Sequence, residues 1–157
     1  MNAAGVAVTW PRCPCLSTVS PAELVVRITR ASPASTPRSL GFSFVDIGQK
    51  AGTLATVFAD RVQALAAIAE VDAGELLGRV IAHEIAHLLL GTRDHAPHGL
   101  MRGQWKASEL ARQRSSDSRL TRAEGLEIRQ AIRRRSSESP PAMMIVDTEL
   151  APDVSTQ

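Results

Sequence analysis

His83-Glu84-Ile85-Ala86-His87-Leu88-Leu89-Leu90-Gly91-Thr92-Arg93-Asp94-His95 decides how the rest of the chain is read. Its first five residues are H-E-x-x-H inside an apolar, helix-forming run. A spacing of i, i+4 puts His83 and His87 on one helix face, a turn apart, where two ring nitrogens can converge on one cation. Neutral imidazole suits Zn²⁺, and a catalytic zinc site keeps three protein ligands and one open position. Glu84, beside the first His, lies where a carboxylate can act as general base on a metal-activated water. Gly91 can end the helix in a left-handed cap, so that the chain turns back and offers a third ligand. His95 is the expected one; Asp94 offers an oxygen, and His98 reaches the site if the loop folds differently. All four histidines of the chain fall between positions 83 and 98, which argues against a chance H-E-x-x-H on a solvated helix.

Continued as Gly91, His95 and then Met101 within Gly99-Leu100-Met101-Arg102, the stretch resembles the metzincin clan of zinc endopeptidases. That clan's pattern is H-E-x-x-H-x-x-G-x-x-H. Here one extra residue precedes Gly91 and another separates Gly91 from His95. A lengthened motif of this kind, followed by G-(I/L)-M-R and a Trp, is similar to that of bacterial metzincin-like proteins, and Trp105 fits it. The resemblance spans roughly Val6 to Arg135, and its specific part is His83 to Trp105. It implies zinc-dependent hydrolysis of peptide bonds, with His83, His87 and His95 on the metal, Glu84 as general base and Met101 as an apolar floor beneath the site. Some metzincins add a Tyr near the Met turn. This chain has no Tyr, so the metal, a main-chain N–H or Arg102 would have to meet developing oxyanion charge.

With 157 residues and 44% hydrophobic content, the chain suits one globular domain with a real core. The expected division is a domain over residues 1–135 and a disordered, Ser- and Pro-rich tail over residues 136–157. A net charge of +2 is too small to argue for nucleic acid or an anionic membrane as partner. No apolar run approaches the roughly 18 residues a bilayer span needs. The partner expected is a peptide or protein substrate. Cys13 and Cys15, in Cys-Pro-Cys, close too tight a loop for a relaxed disulfide and read as ordinary thiols. The first ten residues lack a basic n-region and a long apolar h-region. The resemblance implies a further strand and helix upstream of them, so the true start is expected to lie further upstream, where it would also hide any signal peptide.

The pattern along the chain predicts an α+β fold, a twisted mixed sheet packed on the metal-binding helix with a small C-terminal helical part. Short strands are expected at Val6–Trp10, Glu23–Thr29, Leu40–Asp46 and Thr53–Phe58, with a turn at Gly48–Gly52. Leu40–Asp46 alternates, placing either Leu40, Phe42 and Phe44 or Gly41, Ser43 and Val45 on the buried face. Asp60 is the expected N-cap of a helix over Arg61–Glu70, packed through Val62, Leu65, Ala66 and Ile68 or Ala69. Asp72 and Glu75 resemble a capping box for a helix over Ala73–Leu90. A polar connection follows Trp105. Thr121-Arg-Ala-Glu124 is a capping box for a helix through about Arg134, with Leu126, Ile128 and Ile132 packing and Arg129, Arg133, Arg134 and Arg135 on a solvated face. Leu40–Asp46 or Thr53–Phe58, as an edge strand, could take an extended peptide by strand addition.

Two other readings stay open. One is a zinc-binding interaction domain that does not cleave. The other is a protease of the other H-E-x-x-H branch, whose third ligand is a downstream carboxylate, here Glu109 or Asp117.

Overall fold

An 18-residue helix, α2 (Ala73–Leu90), spans the molecule, and both its ends follow from local chemistry. The Asp72 carboxylate accepts the Glu75 N–H at 2.7 Å, which satisfies one of the orphan donors of the first turn. At the other end Gly91 adopts φ 64° and its N–H returns to the His87 carbonyl. That conformation favours glycine. Space demands it too, because a Cβ at Gly91 would lie 2.3 Å from the Lys50 carbonyl. The computed structural model describes residues 8–9, 23–31, 39–112 and 118–138.

Three strands lie against α2: β1 (Val25–Thr29), β2 (Gly41–Asp46) and β3 (Ala51–Phe58). Their order is β1-β3-β2, with β1 parallel and β2 antiparallel to β3. The fold is thus α+β, with a mixed sheet packed on α2. Being central, β3 is excluded as the peptide-accepting edge, because both its hydrogen-bonding sides are used; of the two strands, β2 lies at the edge of the sheet among the described residues. β2 turns its small residues inward: Gly41 and Val45 are buried and Ser43 is half-buried, whereas Phe42 and Phe44 are exposed and meet edge-on at 5.1 Å. The turn between these strands ends at Lys50, so β3 takes in Gly52, which the sequence pattern places in the turn.

α1 (Ala59–Ala69) follows β3 without a loop, and its N-cap is Phe58, which makes no side-chain cap. Asp60 is therefore not the cap. It sits in the first turn, where its carboxylate accepts the Ala31 N–H at 2.9 Å; that bond is the main reason its pKa falls below the usual carboxylate value. α1 packs through Val62, Ala66 and Ala69, while Ile68 is solvent-facing. Within the connection after Trp105 lies a further short helix, α3 (Ala107–Leu110), whose Leu110 is buried. The sequence does not announce it, because four residues are too few to show periodicity.

α4 (Arg122–Glu138) opens with a reciprocal capping box, the Thr121 N–H bonding Glu124 at 2.6 Å and the Glu124 N–H bonding Thr121 at 3.2 Å. It runs four residues past Arg134. Ile128 and Ala131 are buried and Leu126 is exposed, contrary to the packing role expected of it. Arg133 and Arg134 are exposed as expected. Arg135 is not solvated as expected: Nη2 donates to the carbonyls of Gly52 at 2.5 Å and Leu88 at 3.3 Å. It lies on the face that α4 presses against α2.

Three apolar clusters fill the interior of the described residues. One joins Val57, Val62, Ala66, Leu76 and Val80, a second joins Ile85, Ala86, Leu89, Met101 and Ile128, and a small third joins Val45, Ala55 and Leu88. Burying side chains such as Leu76 and Ile128 contributes about 1.5–3 kcal/mol each. No helix among the described residues is long and apolar enough to cross a membrane. Val8 and Thr9 lie outside any strand. The rest of the expected first strand, Cys13 with Cys15, Asp117, and the tail beyond position 138 lie outside the described residues.

Glycines 91 and 78 give a paired test. Gly91→Ala is expected to lower stability by about 2–3 kcal/mol, since both its backbone and the Lys50 carbonyl oppose a side chain. Gly78 lies in α2, and a Cβ there would meet nothing within 4 Å, so Gly78→Ala should raise stability by about 0.5–1 kcal/mol. Urea denaturation measures both; equal effects would contradict this account of the α2 terminus.

Candidate metal centre

α2 presents His83 and His87 on the face that turns inward, and both are buried, at 8% and 5% exposure. The Nδ1 of His83 lies 2.7 Å from the Leu100 carbonyl, and that of His87 lies 2.8 Å from the Thr92 carbonyl. A carbonyl only accepts, so both Nδ1 atoms carry hydrogen. The two Nε2 atoms then face each other at 3.1 Å. Burial holds both rings to the neutral form, pushing His83 down to about 4 and His87 below its usual value. Two neutral rings so oriented present two lone pairs to one another with no proton between them. A cation resolves that conflict. The carbonyl partners are also what orient metal-bound histidines and raise their basicity.

His95 completes the group. Ligand atoms of His83, His87 and His95 all lie within 4.8 Å of one another, close enough to bind a metal ion together. Tetrahedral coordination at about 2.05 Å would set ligand nitrogens about 3.3 Å apart, so the His83–His87 pair already has the required separation. The His95 ring stacks on His83 at 5.4 Å with a 13° interplanar angle and stands perpendicular to His87. It is exposed, unlike the other two. That combination leaves one side of the site open.

The loop that carries His95 is tied from below. Ala96 N–H donates to the Met101 carbonyl at 2.8 Å, and Leu100 N–H donates to the Arg119 carbonyl at 2.9 Å. Met101 is 2% exposed and is buried with Ile85, Ala86, Leu89 and Ile128. Its packing holds the neighbouring Leu100 carbonyl against His83. Trp105 meets the His83 ring edge-on at 5.7 Å. A groove of about 750 Å³ runs from the α2 C-terminus past Thr92 and Asp94 to His95 and Met101.

The alternative ligands are not brought in. Asp94 accepts a hydrogen bond from Thr92 Oγ1 at 3.0 Å and stands outside the three-histidine group. His98 lines a separate hollow. Glu109 pairs with Arg102 at 3.4 Å and accepts the Lys106 N–H. Arg102 lines that hollow with His98, so its expected part in stabilising an oxyanion at the metal centre finds no support in this arrangement.

Glu84 is 5% exposed and is seated against β2. Ser43 Oγ lies 2.6 Å from its Oε2 and 2.9 Å from its main-chain oxygen, with one proton to serve either. A Cβ at Gly41 would lie 2.9 Å from Oε1, so the absent side chain leaves the carboxylate its room. Burial raises the Glu84 pKa to about 7, against a lowering by the Ser43 hydrogen bond. Sequence reasoning missed Gly41 and Ser43 as site residues. The available signal was the small-residue alternation of β2, which marks the face where something must approach closely. Comparison with protein-family models, with curated proteins and with solved structures found no match.

Two outcomes are expected. Native mass spectrometry should find one metal ion on the wild-type chain, binding greatly weakened in His95→Ala, and no loss in Asp94→Ala or His98→Ala. The second concerns pH in the metal-free protein. Between about 4 and 6.5 the unfolded chain holds a proton that folded His83 has lost, so this residue makes stability rise with pH. Between 4.5 and about 7 folded Glu84 holds a proton that the unfolded chain has lost, so it makes stability fall with pH. The two effects oppose each other. Glu84→Gln removes the second, and urea unfolding in chelator should show its stability climbing more steeply than wild type from about pH 4.5 to 6.5. The difference should approach about 1.4 kcal/mol per pH unit, and parallel curves would refute it.

Proposed function

We propose that the chain is a zinc-dependent hydrolase of peptide bonds, of the metzincin type its motif resembles. The observation that carries this reading is the facing of the His83 and His87 Nε2 atoms at 3.1 Å, with both Nδ1 atoms held by carbonyls and a buried carboxylate on the intervening turn. His83, His87 and His95 would hold the metal. An all-imidazole donor set of three suits zinc and leaves a position for the reactant. Bound zinc supplies a Lewis acid that polarises a carbonyl and lowers the pKa of water toward neutrality.

The chain's own groups do the rest. Glu84, with a pKa of about 7, is matched to taking a proton near neutral pH and returning it to the leaving amine. Ser43 holds Oε2, which leaves Oε1 to move the proton. The apolar packing around Met101, Ile85 and Leu89 keeps water from the inner side of the site and fixes the ligand rings. Next to Glu84, β2 has no strand on its outer side among the described residues, though the Val45 carbonyl accepts from Arg93. An extended peptide adding there by main-chain hydrogen bonds would pass along the carboxylate.

A Glu84→Ala chain separates this reading from that of a zinc-binding module. It should keep one zinc per chain in native mass spectrometry and lose cleavage of a peptide library by roughly 10²–10⁴-fold. Cleavage that survives the substitution, or a wild-type chain that binds zinc and cleaves nothing, would overturn it.

A further inference from the structure

Beyond the metal centre, the segment from Arg102 to Lys106 presents two different sides. Gly103 lies against the His95 ring, where a Cβ would come within 2.9 Å of Cγ, and Trp105 stands against His83. The residues between and flanking them face elsewhere. Arg102, Gln104 and Lys106, with His98, Glu109 and Arg112, line a hollow of about 460 Å³. Ala96, the residue after His95, lines both this hollow and the groove that passes His95, so the two meet there.

The charge in the hollow is unbalanced. Three cationic side chains face one carboxylate, and Glu109 is already engaged with Arg102 and the Lys106 N–H. The hollow also holds an unmet donor: Arg102, on its lining, has a buried Nε with no hydrogen-bond partner among the described residues. Cations and an unmet donor gathered around a single, already engaged carboxylate point to a further, acceptor-rich anion.

We propose that this hollow is a carboxylate-binding subsite, which takes an acidic group of a peptide lying along the groove at the metal centre. The inference rests on the peptidase reading. The carboxylate belongs to an acidic side chain or to a free C-terminus one or a few residues from the bond at the metal. Lys106 and Arg112 attract it, and Arg102 gives it a fork-shaped partner beside Glu109.

The test uses the full zinc-loaded chain carrying Glu84→Gln, with and without Lys106→Ala and Arg112→Ala, two exposed positions. Fluorescent peptides differing only as Asp or Asn, and as C-terminal acid or amide, are titrated by anisotropy. The charged peptide of one pair should bind about tenfold more tightly than its neutral twin, the size of one charge-assisted contact, and the double substitution should erase that preference. The pair that shows it identifies the source of the carboxylate. Equal binding of both twins, or a preference that survives the double substitution, overturns the subsite. Succinate, followed by amide NMR shifts of residues 102–112, reads the subsite without a peptide. Saturable shifts that vanish in the double variant uphold it even if no peptide binds, in which case the peptidase reading fails instead. A succinate titration without shifts overturns the subsite itself.

Discussion

Two imidazole nitrogens held 3.1 Å apart with their lone pairs facing form the constraint around which this fold is arranged. Left alone, that pair is unfavourable: neither ring can rotate away without abandoning a buried carbonyl, and burial opposes protonating either. The opposition of Nε2 atoms is stable only because other interactions enforce it. Those interactions come from the loop that follows α2, which other elements hold in place, so the site and the fold cannot be described separately.

Leu100 and Thr92 supply the enforcing carbonyls, and each is itself positioned. Thr92 follows directly from Gly91, whose left-handed conformation turns the chain back over the last turn of α2. Leu100 is held by its neighbour Met101, buried against α2 and α4, and by the Arg119 carbonyl. α4 closes the arrangement from behind, with Ile128 in the core and Arg135 bonded to the Leu88 carbonyl. The terminal turn of α2 is thus secured on two sides, and the loop between them delivers His95.

On the opposite side β2 makes a place for Glu84. A buried carboxylate with one hydroxyl partner and no cation costs stability, and the raised pKa expresses that cost. Gly41 and Ser43 are the smallest inward residues of the strand, and a bulkier pair would expel the carboxylate. Strain of this kind, concentrated in one cluster of a well-packed domain, is the pattern expected where a site rather than stability governs residue choice.

Much of this was legible in the residues alone. The bounds of α2, the three-histidine group, the Gly91 turn, the capping box of α4 and the α+β class all follow from local rules: helical periodicity, cap chemistry and ligand spacing act over a few residues, so a few residues reveal them. The lengthened motif left Asp94 and His98 as rivals to His95, and it is the folded loop that brings His95, and neither rival, close to His83 and His87. Asp60 looked like a cap and proved to be a partner of Ala31, because β3 enters α1 without a loop. Arg135 and Leu126 exchanged the roles expected of them once α4 had chosen which face to lay on α2. The central position of β3, the inward turning of Gly41 and Ser43, and the seating of Leu100 against His83 all depend on which separate segments meet. No window of sequence carries that information, since it arises from packing the whole chain at once.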